Sequence, residues 1–429
     1  MNISEIYSKF LKSTGVCIDT RKIRKKQLFF ALKGDNFDGN KYAQKALEDG
    51  ASYAVIDDSN IKNPNFILVN DVLGTLQDLA KFHRQKLNIP IIGLTGSNGK
   101  TTTKELIYEV LKTQYYCTAT VGNLNNHIGV PLTLLNMTKS TEIGIVEMGA
   151  NHMKEIAFLS EIAKPNYGYI TNIGKAHLEG FGSEENILIG KTELFDFIKK
   201  TEGIVFCNAS DMKLSQKAKN LKTLYFSDKK KTDCLQIQIT KTNPFVSVKF
   251  ENTQVDSNLI GSYNYTNVAA SILIGKYFDI KKENIKKAIE NYTPSNNRSE
   301  LINKGSNTII LDAYNANPSS MIAALQNLIT TETNKKNTVV ILGDMFELGK
   351  YSKKEHQQII DFLEDSSVKT ILLAGKHFSA CTNQSKKIIT FDDSNLLLLH
   401  LKKHPVENSL VLIKGSRGMK LEQLLPTFE

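Results

Sequence analysis

The fold is decided by a short stretch, TGSNGKTTT at residues 95–103, which directly follows the apolar run IPIIGL at residues 89–94. The run predicts a buried strand, and apolar residues at helical spacing after Lys100 predict a helix that opens at this lysine. A glycine turn between strand and helix presents backbone N–H groups and the positive helix end to an anion. Lys100 suits the outer phosphates, and the Thr101 hydroxyl suits Mg²⁺. The stretch therefore predicts a polyphosphate-binding loop, although Leu94 stands where such loops carry their first glycine.

Length and charge narrow the class of protein. The chain has 429 residues, 41% of them hydrophobic, which exceeds one ordinary core and predicts two to three domains. Its net charge of +10 suits either nucleic acid or an anionic small substrate. The lysines are dispersed, and we find no basic stretch interleaved with aromatic residues. We therefore expect a polyanionic small-molecule substrate and no nucleic acid partner.

The lack of apparent targeting signals and the spacing of the cysteines indicate the cellular compartment. No apolar run approaches the roughly 20 residues that a membrane span needs, and the start of the sequence lacks the apolar region of a signal peptide. The five cysteines lie far apart, without metal-ligand spacing. We expect reduced thiols, a cytoplasmic protein and no membrane insertion.

The order of apolar segments predicts an α/β fold with three domains, at residues 1–88, 89–293 and 294–429. In the first, short strands (28–32, 54–56, 66–69) mix with helical stretches. In the second, strands alternate with helices, which predicts a mostly parallel sheet covered on both faces. Period-two runs at 235–239 and 246–250 add a small antiparallel extension. In the third, strands at 308–312, 339–342, 370–374 and 410–413 predict a second doubly wound unit.

Several polar residues follow predicted strands of the second domain, where ligands collect in open α/β sheets. Glu147 ends the strand at 143–148 and suits either a Mg²⁺ ligand or a helix cap; the neighbouring phosphate loop favours the metal. His177 follows the strand at 167–173 and suits a second metal, a proton transfer or an ordinary loop position. Lys191 opens an apolar helix, and its pattern indicates a solvated lysine.

Two polar loops of the third domain also directly follow predicted strands. DAYNANP at residues 312–318 suits ribose hydroxyls through Asp312 and a sugar or base through Tyr314, or it caps the helix that Pro318 begins. KGSR at residues 414–417 suits a carboxylate or phosphate through Arg417, or it is a polar surface loop. The residues alone leave both alternatives open.

Over nearly its full length the sequence resembles the Mur ligase family. The resemblance is carried by the phosphate loop and by GNLNNHIGVP (122–131), EMGAN (147–151), HLEGFGS (177–183), DAYNANP (312–318), GDMFELG (343–349) and KGSR (414–417). The phosphate loop is shared with folylpolyglutamate synthase. The strings at 147–151, 312–318 and 343–349 resemble the family member that adds D-alanyl-D-alanine.

The resemblance implies an ATP- and Mg²⁺-dependent amide ligase of peptidoglycan precursor synthesis. Its substrates would be UDP-N-acetylmuramoyl-tripeptide and D-alanyl-D-alanine, joined through an acyl phosphate. It implies a small UDP-binding domain, a central ATPase domain, and a C-terminal Rossmann-like domain that closes on it. We expect a monomer.

The resemblance also implies roles for individual residues. Catalysis would fall to Lys100, Glu147, His177 and Lys191, and the metal ligands would be Thr101, Glu147, His177 and a carbamylated Lys191. ATP would be bound by Thr95, Gly96, Ser97, Asn98, Gly99, Lys100, Thr101, Thr102, Asn264, Asn267, Arg298, Asp312 and Tyr314. The UDP substrate would be bound by Thr20, Arg21, Lys33, Gly34, Asn125 and Asn126, and D-alanyl-D-alanine by Asn315, Asn317, Lys414 and Arg417.

Two other functions compete with this one. A Mur ligase of different substrate, or folylpolyglutamate synthase, would share the phosphate loop but not the strings at 312–318 and 343–349. A nucleotide-dependent switch or nucleic-acid motor would use the same loop to drive a conformational change, and its turnover would not require both ligase substrates.

Overall fold

The computed structural model describes residues 1–295, 297–331 and 334–428, and it confirms the α/β class. Each of three successive parts of the chain is built on its own sheet.

The first part is built on a four-stranded parallel sheet of order β1-β2-β5-β6, with a β3-β4 hairpin beside it. Its elements are α1 (Ile3–Leu11), β1 (Val16–Cys17), β2 (Leu28–Phe30), β3 (Lys33–Gly34), β4 (Phe37–Asp38), α2 (Ala43–Glu48), β5 (Tyr53–Ile56), β6 (Phe66–Leu68) and α3 (Val72–Leu87). Asp71 caps α3 by accepting a hydrogen bond from Leu73 N, so this helix begins earlier than the expected stretch at 76–87.

The second part carries the phosphate loop between a strand and a helix. Its first elements are β7 (Ile91–Thr95), α4 (Lys100–Leu111), β8 (Cys117–Ala119), α5 (Gly129–Leu135), β9 (Ile143–Glu147), α6 (Glu155–Ala163), β10 (Tyr167–Ile170), α7 (Leu178–Phe181), α8 (Glu184–Lys200), β11 (Ile204–Asn208), α9 (Met212–Ala218), β12 (Lys222–Ser227) and β13 (Cys234–Gln236). The seven strands form a fully parallel sheet of order β13-β12-β11-β10-β7-β9-β8. The strand order reverses around β7, which places the loop after β7 at the usual ligand position of such sheets.

The second part ends in β14 (Gln238–Lys241), β15 (Phe245–Phe250), β16 (Thr253–Ile260), α10 (Tyr265–Tyr277) and α11 (Lys282–Asn291). The three strands form an antiparallel sheet, as expected. The run at 235–239 is not one strand of it, however, because β13 belongs to the large parallel sheet. Ile237 N still donates to Ser227 O of that sheet, and the fully buried Ile237 side chain lies where the chain passes from one sheet to the other.

The third part comprises β17 (Glu300–Lys304), β18 (Asn307–Asp312), α12 (Pro318–Thr330), β19 (Asn337–Gly343), α13 (Ser352–Glu364), β20 (Thr370–Ala374), α14 (Lys376–Ser379), β21 (Ile388–Phe391), α15 (Ser394–Lys403) and β22 (Ser409–Lys414). Its sheet has the order β17-β18-β22-β19-β20-β21, parallel except for β17. The register pairs Asp312 with Lys414 across β18 and β22.

The second and third parts are joined by hydrogen bonds between residues distant in sequence. Lys175 Nζ donates to Glu355 Oε1 at 2.8 Å, Tyr351 Oη donates to Gly182 O at 2.7 Å, and Glu179 N donates to Glu347 O at 3.0 Å. These contacts bring the loops after β10 against the start of α13, and they close one side of a cleft at the carboxyl end of β7.

Candidate functional site

The phosphate loop is held open for a ligand by two glycines. Gly99 has φ +77°, and a Cβ there would lie 2.6 Å from Asn267 Oδ1. A Cβ on Gly96 would lie 2.0 Å from Thr171 Oγ1. Any side chain at either position would displace the wall of the loop, so the backbone amides stay accessible to an anion.

Lys100 begins α4 and folds back over the loop. Its Nζ donates to Gly96 O at 2.8 Å and Ser97 O at 3.1 Å. Burial lowers the pKa of this amine, and Arg298 lowers it further, whereas the charge of Glu147 raises it. A phosphate group would give Lys100 an anionic partner in place of two neutral carbonyls.

Glu147 ends β9, beside the loop, and it is 1% exposed. Its Oε1 accepts hydrogen bonds from Asn125 Nδ2 at 2.8 Å and from Thr101 Oγ1 at 3.3 Å. Its Oε2 is buried and has no hydrogen-bond partner among the described residues. Because a buried carboxylate oxygen without a partner is costly, this atom is suited to a cation.

Asparagine side chains line the side of the loop that faces α10. Thr103 Oγ1 donates to Asn267 Oδ1 at 3.0 Å, and Asn267 Nδ2 donates to Asn264 Oδ1 at 2.7 Å. Asn264 Nδ2 in turn donates to Ile260 O at 2.7 Å. The chain of amides ties α10 to the phosphate-loop helix, and both asparagines line the cleft.

The opposite wall of the cleft comes from the third part of the chain. Asp312 Oδ2 accepts from Lys414 Nζ at 2.5 Å, and Lys414 is 2% exposed. The Arg298 guanidinium lies 3.5 Å from the centre of the Tyr314 ring, a cation–π contact. Arg417 is more exposed and pairs with Glu422 at 2.9 Å.

One hydrogen bond joins the two walls at the phosphate loop. Asn317 caps α12 by accepting from Ser320 N with Oδ1, which leaves Nδ2 to donate to Asn98 Oδ1 at 2.7 Å. Next to it, Lys175 N donates to Ser319 Oγ at 2.8 Å. The N-terminus of α12 therefore lies directly on the phosphate loop.

The resulting cleft has a volume of about 1000 Å³. Most of the predicted site residues line it: Ser97, Asn98, Gly99, Lys100, Thr101, Thr102, Asn125, Asn126, Glu147, His177, Asn264, Asn267, Arg298, Asp312, Tyr314, Asn315, Asn317, Lys414 and Arg417. Thr95 is fully buried at the end of β7, and Gly96 packs against Thr171.

The predicted UDP-binding residues do not come together. Asn125 and Asn126 line the cleft, whereas no residue of the first part is among the described residues that do. Arg21 pairs with Asp19 at 2.8 Å and its side chain is 85% exposed. Lys33, in the β3-β4 hairpin with Gly34, pairs with Asp57 at 2.7 Å, and Thr20 begins a short 3-10 helix.

The expectation for Lys191 was wrong in two respects. Lys191 lies in the middle of α8 and does not open a helix, and it is fully buried rather than solvated. Its Nζ donates to Ala150 O at 2.8 Å and lies 5.1 Å from the centre of the Phe181 ring. Burial holds the pKa of Lys191 well below its ordinary value, and the nearby charge of Lys100 adds to the effect.

Two residues of the string at 343–349 reach the site without having been singled out. The Glu347 carboxylate contacts Nδ1 of His177, and a hydrogen bond from His177 lowers the pKa of the Glu347 carboxyl. Phe346 lines the cleft with 41% of its surface exposed. The string itself was the available signal, but only the fold brings it next to His177.

The side chains around the cleft determine whether a metal ion could bind there. Among the described residues, no three His, Cys, Asp or Glu side chains gather into a group that could hold one. Glu147 Oε2 and Thr101 Oγ1 nevertheless offer oxygen ligands at the phosphate loop. This set fits Mg²⁺, which keeps few protein ligands and takes others from phosphates and water.

Comparisons with family models cover most of the chain. A model described as Mur ligase middle domain matches residues 94–275. The model "Mur ligase, glutamate ligase domain" matches residues 297–417, and "Mur ligase family, catalytic domain" matches residues 12–90.

Individual relatives match over nearly their full length. The UDP-N-acetylmuramoyl-tripeptide–D-alanyl-D-alanine ligase of Bacillus subtilis (strain 168) is 36% identical, over 96% of this chain and 92% of the relative. A crystal structure of MurF from Acinetobacter baumannii is 28% identical, with a TM-score of 0.86 and 98% of each chain covered. MurF from Thermotoga maritima, solved in complex with ADP, is 27% identical, with a TM-score of 0.85, and the match covers 98% of this chain and 97% of that one.

Proposed function

The chain belongs to the Mur ligase family, and from that premise we propose that it joins D-alanyl-D-alanine to UDP-N-acetylmuramoyl-tripeptide at the expense of ATP. The reaction is an ADP-forming amide ligation of peptidoglycan precursor synthesis. The relative from Bacillus subtilis carries the name of this activity, and the relative from Thermotoga maritima was solved with ADP.

One observation of the structure carries the proposal. The phosphate loop and the loops at 312–318 and 414–417 face each other across a single cleft, and Asn98 bonds to Asn317 between them. A reaction that passes a phosphoryl group to a carboxylate, and then the acyl group to an amine, needs its three substrates within bonding distance. Two walls from different parts of the chain supply that arrangement.

The chemistry balances in two steps. The terminal carboxylate of the tripeptide attacks the γ-phosphorus of ATP, and the bond to ADP breaks. The amine of D-alanyl-D-alanine then attacks the acyl carbon, loses a proton, and inorganic phosphate leaves. Lys100 and the amides of the phosphate loop hold the charge of the transferred group, which lowers the barrier between two anions.

Other residues act by binding and orientation. Asn264, Asn267 and Arg298 hold the nucleotide, with Asp312 and Tyr314 near its ribose. Asn315, Asn317, Lys414 and Arg417 receive the dipeptide, and its carboxylate suits Arg417, whose guanidinium is partly exposed. Thr20, Arg21, Lys33, Gly34 and Asn126 bind the UDP-linked substrate, and the resemblance implies the same role for Asn125.

A Mg²⁺ ion would be held by Thr101 and Glu147, and it would neutralise phosphate charge during the transfer. His177 and Lys191 would serve a second ion near the acyl carboxylate. Lys191 is deeply buried, with Ala150 O as a neutral partner for its Nζ. A carbamylated Lys191 would turn this amine into an anionic oxygen ligand.

The role of Lys191 has its own test. Lys191→Ala removes the group, so we expect activity to fall and added formate to restore part of it. Buffer free of bicarbonate should lower the activity of the unaltered protein. Unchanged activity in both experiments would remove Lys191 from the mechanism.

We also propose the boundaries 1–88, 89–293 and 294–429 for the three domains, a cytoplasmic location and a monomeric state. The left-handed Asn88 at the end of α3, and the end of α11 at Asn291, support the two boundaries. Among the described residues, no helix combines the length and the apolar character that crossing a bilayer requires.

The proposed function is tested by the dependence of ADP release on both substrates. We expect ADP only when UDP-N-acetylmuramoyl-tripeptide and D-alanyl-D-alanine are present together, with the amide product identified by mass spectrometry. ATP turnover with neither substrate would favour a nucleotide-dependent switch. Turnover with a folate and glutamate in place of the UDP-linked tripeptide and the dipeptide would favour folylpolyglutamate synthase.

A further inference from the structure

Asn125 lines the cleft, and its side chain also contacts the carboxylate of Glu147. A carboxylate accepts hydrogen bonds and donates none, so the amide of Asn125 must present Nδ2 to Glu147 Oε1, at 2.8 Å. The main chain of Asn125 is tied to the same segment, because Gly149 N donates to Asn125 O at 2.7 Å. Side chain and backbone of one residue therefore both hold the end of β9.

A glycine makes this approach possible. A Cβ on Gly149 would lie 2.8 Å from Asn125 Oδ1 and 2.9 Å from its Cγ, closer than ordinary contact allows. The Asn125 amide is thus packed against the bare Cα of Gly149. This packing restricts rotation of the amide away from the carboxylate.

The two donors to Glu147 Oε1 differ in what else they must do. Thr101 Oγ1 is itself a proposed ligand of the cation, so its hydroxyl has a second task during the reaction. Asn125 Nδ2 has no other hydrogen-bond acceptor among the described residues. It is therefore the donor that can fix Oε1 permanently and leave the partner-free Oε2 facing a cation.

We infer that Asn125 is a positioning residue that acts through Glu147: it orients the carboxylate so that Oε2 is available to the metal. The inference rests on the proposed function and deepens it, and it replaces the contact with the UDP-linked substrate that the resemblance implied for Asn125. Partners that orient a ligand in this way set metal affinity, and removing one costs roughly ten- to a hundredfold.

Binding of Mn²⁺ measured by electron paramagnetic resonance tests the inference without turnover. The titration is done on the full chain with the ATP analogue AMP-PNP and without the UDP-linked substrate. Asn125→Ala removes the amide, and Asn125→Leu removes it while keeping volume against Gly149. Asn136→Ala is the matched control, because Asn136 is an exposed asparagine at the end of α5 and is not among the described residues that line the cleft.

We expect both Asn125 variants to raise the dissociation constant of Mn²⁺ roughly ten- to a hundredfold, and the control to leave it unchanged. In steady-state assays, higher Mg²⁺ should restore kcat, and the KM for the UDP-linked substrate at saturating Mg²⁺ should not move. A raised KM for that substrate with unaltered Mn²⁺ affinity would overturn the inference and leave the proposed function standing. Failure of the unaltered protein to bind Mn²⁺ with AMP-PNP would instead count against the proposed function.

Discussion

Glu147 and Asp312 are two carboxylates at equivalent positions, each at the end of a strand of its sheet, but their interaction partners differ. Glu147 ends β9 beside the phosphate loop, with one oxygen held by neutral donors and the other without a partner among the described residues. Asp312 ends β18 across the cleft, with Lys414 at 2.5 Å and Ser299 N at 3.2 Å. The first carboxylate has no ion-pair partner in direct contact among the described residues, although its charge acts on the nearby Lys100 and Lys104. The second is paired with a lysine within the protein.

The comparison of Glu147 with Asp312 distinguishes a carboxylate suited to ligand binding from one that stabilises the fold. A buried carboxylate oxygen without a hydrogen-bond partner is a cost that a ligand can relieve, so Glu147 should matter more for function than for folding. A buried ion pair is expensive to break because the remaining partner is left charged and dry. Asp312 should therefore matter for the stability of the third part of the chain.

The largest effect is expected from Glu147→Gln. The substitution keeps the shape and removes the charge, so kcat should fall about a hundredfold or more. The melting temperature should change little, because relief of the buried carboxylate offsets the lost attraction to Lys100 and Lys104. Steady-state assays and thermal unfolding measure the two quantities, and Mn²⁺ with AMP-PNP should raise the melting temperature of the unaltered protein but not of the variant.

Glu283→Gln is the matched control, since Glu283 is an exposed carboxylate in the first turn of α11. It should change neither quantity. A Glu147→Gln protein that keeps its activity, or that melts well below the unaltered protein, would contradict the proposed division between the two carboxylates.

A smaller effect, on stability rather than on activity, is expected from Asp312→Asn. Lys414 is 2% exposed, so the loss of its partner should cost about 3 kcal/mol of unfolding free energy. Urea denaturation measures this cost. The double variant Asp312→Leu with Lys414→Met should recover most of the loss, because neither buried charge remains. If the double variant is as unstable as the single one, the ion pair is not the cause.

The smallest effect is expected where a pair can reach water. Lys175 pairs with Glu355 across the contact between the second and third parts; the Glu355 side chain is only 5% exposed, but that of Lys175 is 29% exposed and reaches solvent. Glu355→Gln should cost about 1 kcal/mol or less, because Lys175 can turn to solvent and salt screens the pair. Urea denaturation of the Glu355→Gln variant and of the unaltered protein, at low and at high salt, measures the cost. A cost as large as that of Asp312→Asn would remove the distinction by exposure.

Local patterns were sufficient for the elements that lead to the cleft. The phosphate loop, the helix from Lys100 and the strands around them follow from apolar spacing and from a glycine turn, which are properties of neighbouring residues. The carboxyl-end rule also placed Glu147 and Asp312 correctly at strand ends.

Long-range packing accounts for the misses. Lys191 has the local pattern of a surface lysine, and its burial arises from the packing of α8 against α6 and α7. The edge strand β17 is the exception, because it was missed although its pairing is local: it forms a tight hairpin with β18, with Lys304 opposite Asn307. The bond of Asn98 with Asn317 joins residues 219 positions apart, and no spacing rule covers that separation.

The cap of α12 narrows the choice of residue at position 317. Serine, threonine, aspartate and asparagine all terminate helices well, because each offers an oxygen to the first free amides. Asparagine alone of these also carries an N–H₂ group on the other arm, which is the arm that reaches Asn98. Aspartate at position 317 would still cap the helix, but its carboxylate would face Asn98 Oδ1 and repel it. Position 317 should therefore tolerate far fewer substitutions than the residue preferences of helix caps alone would allow.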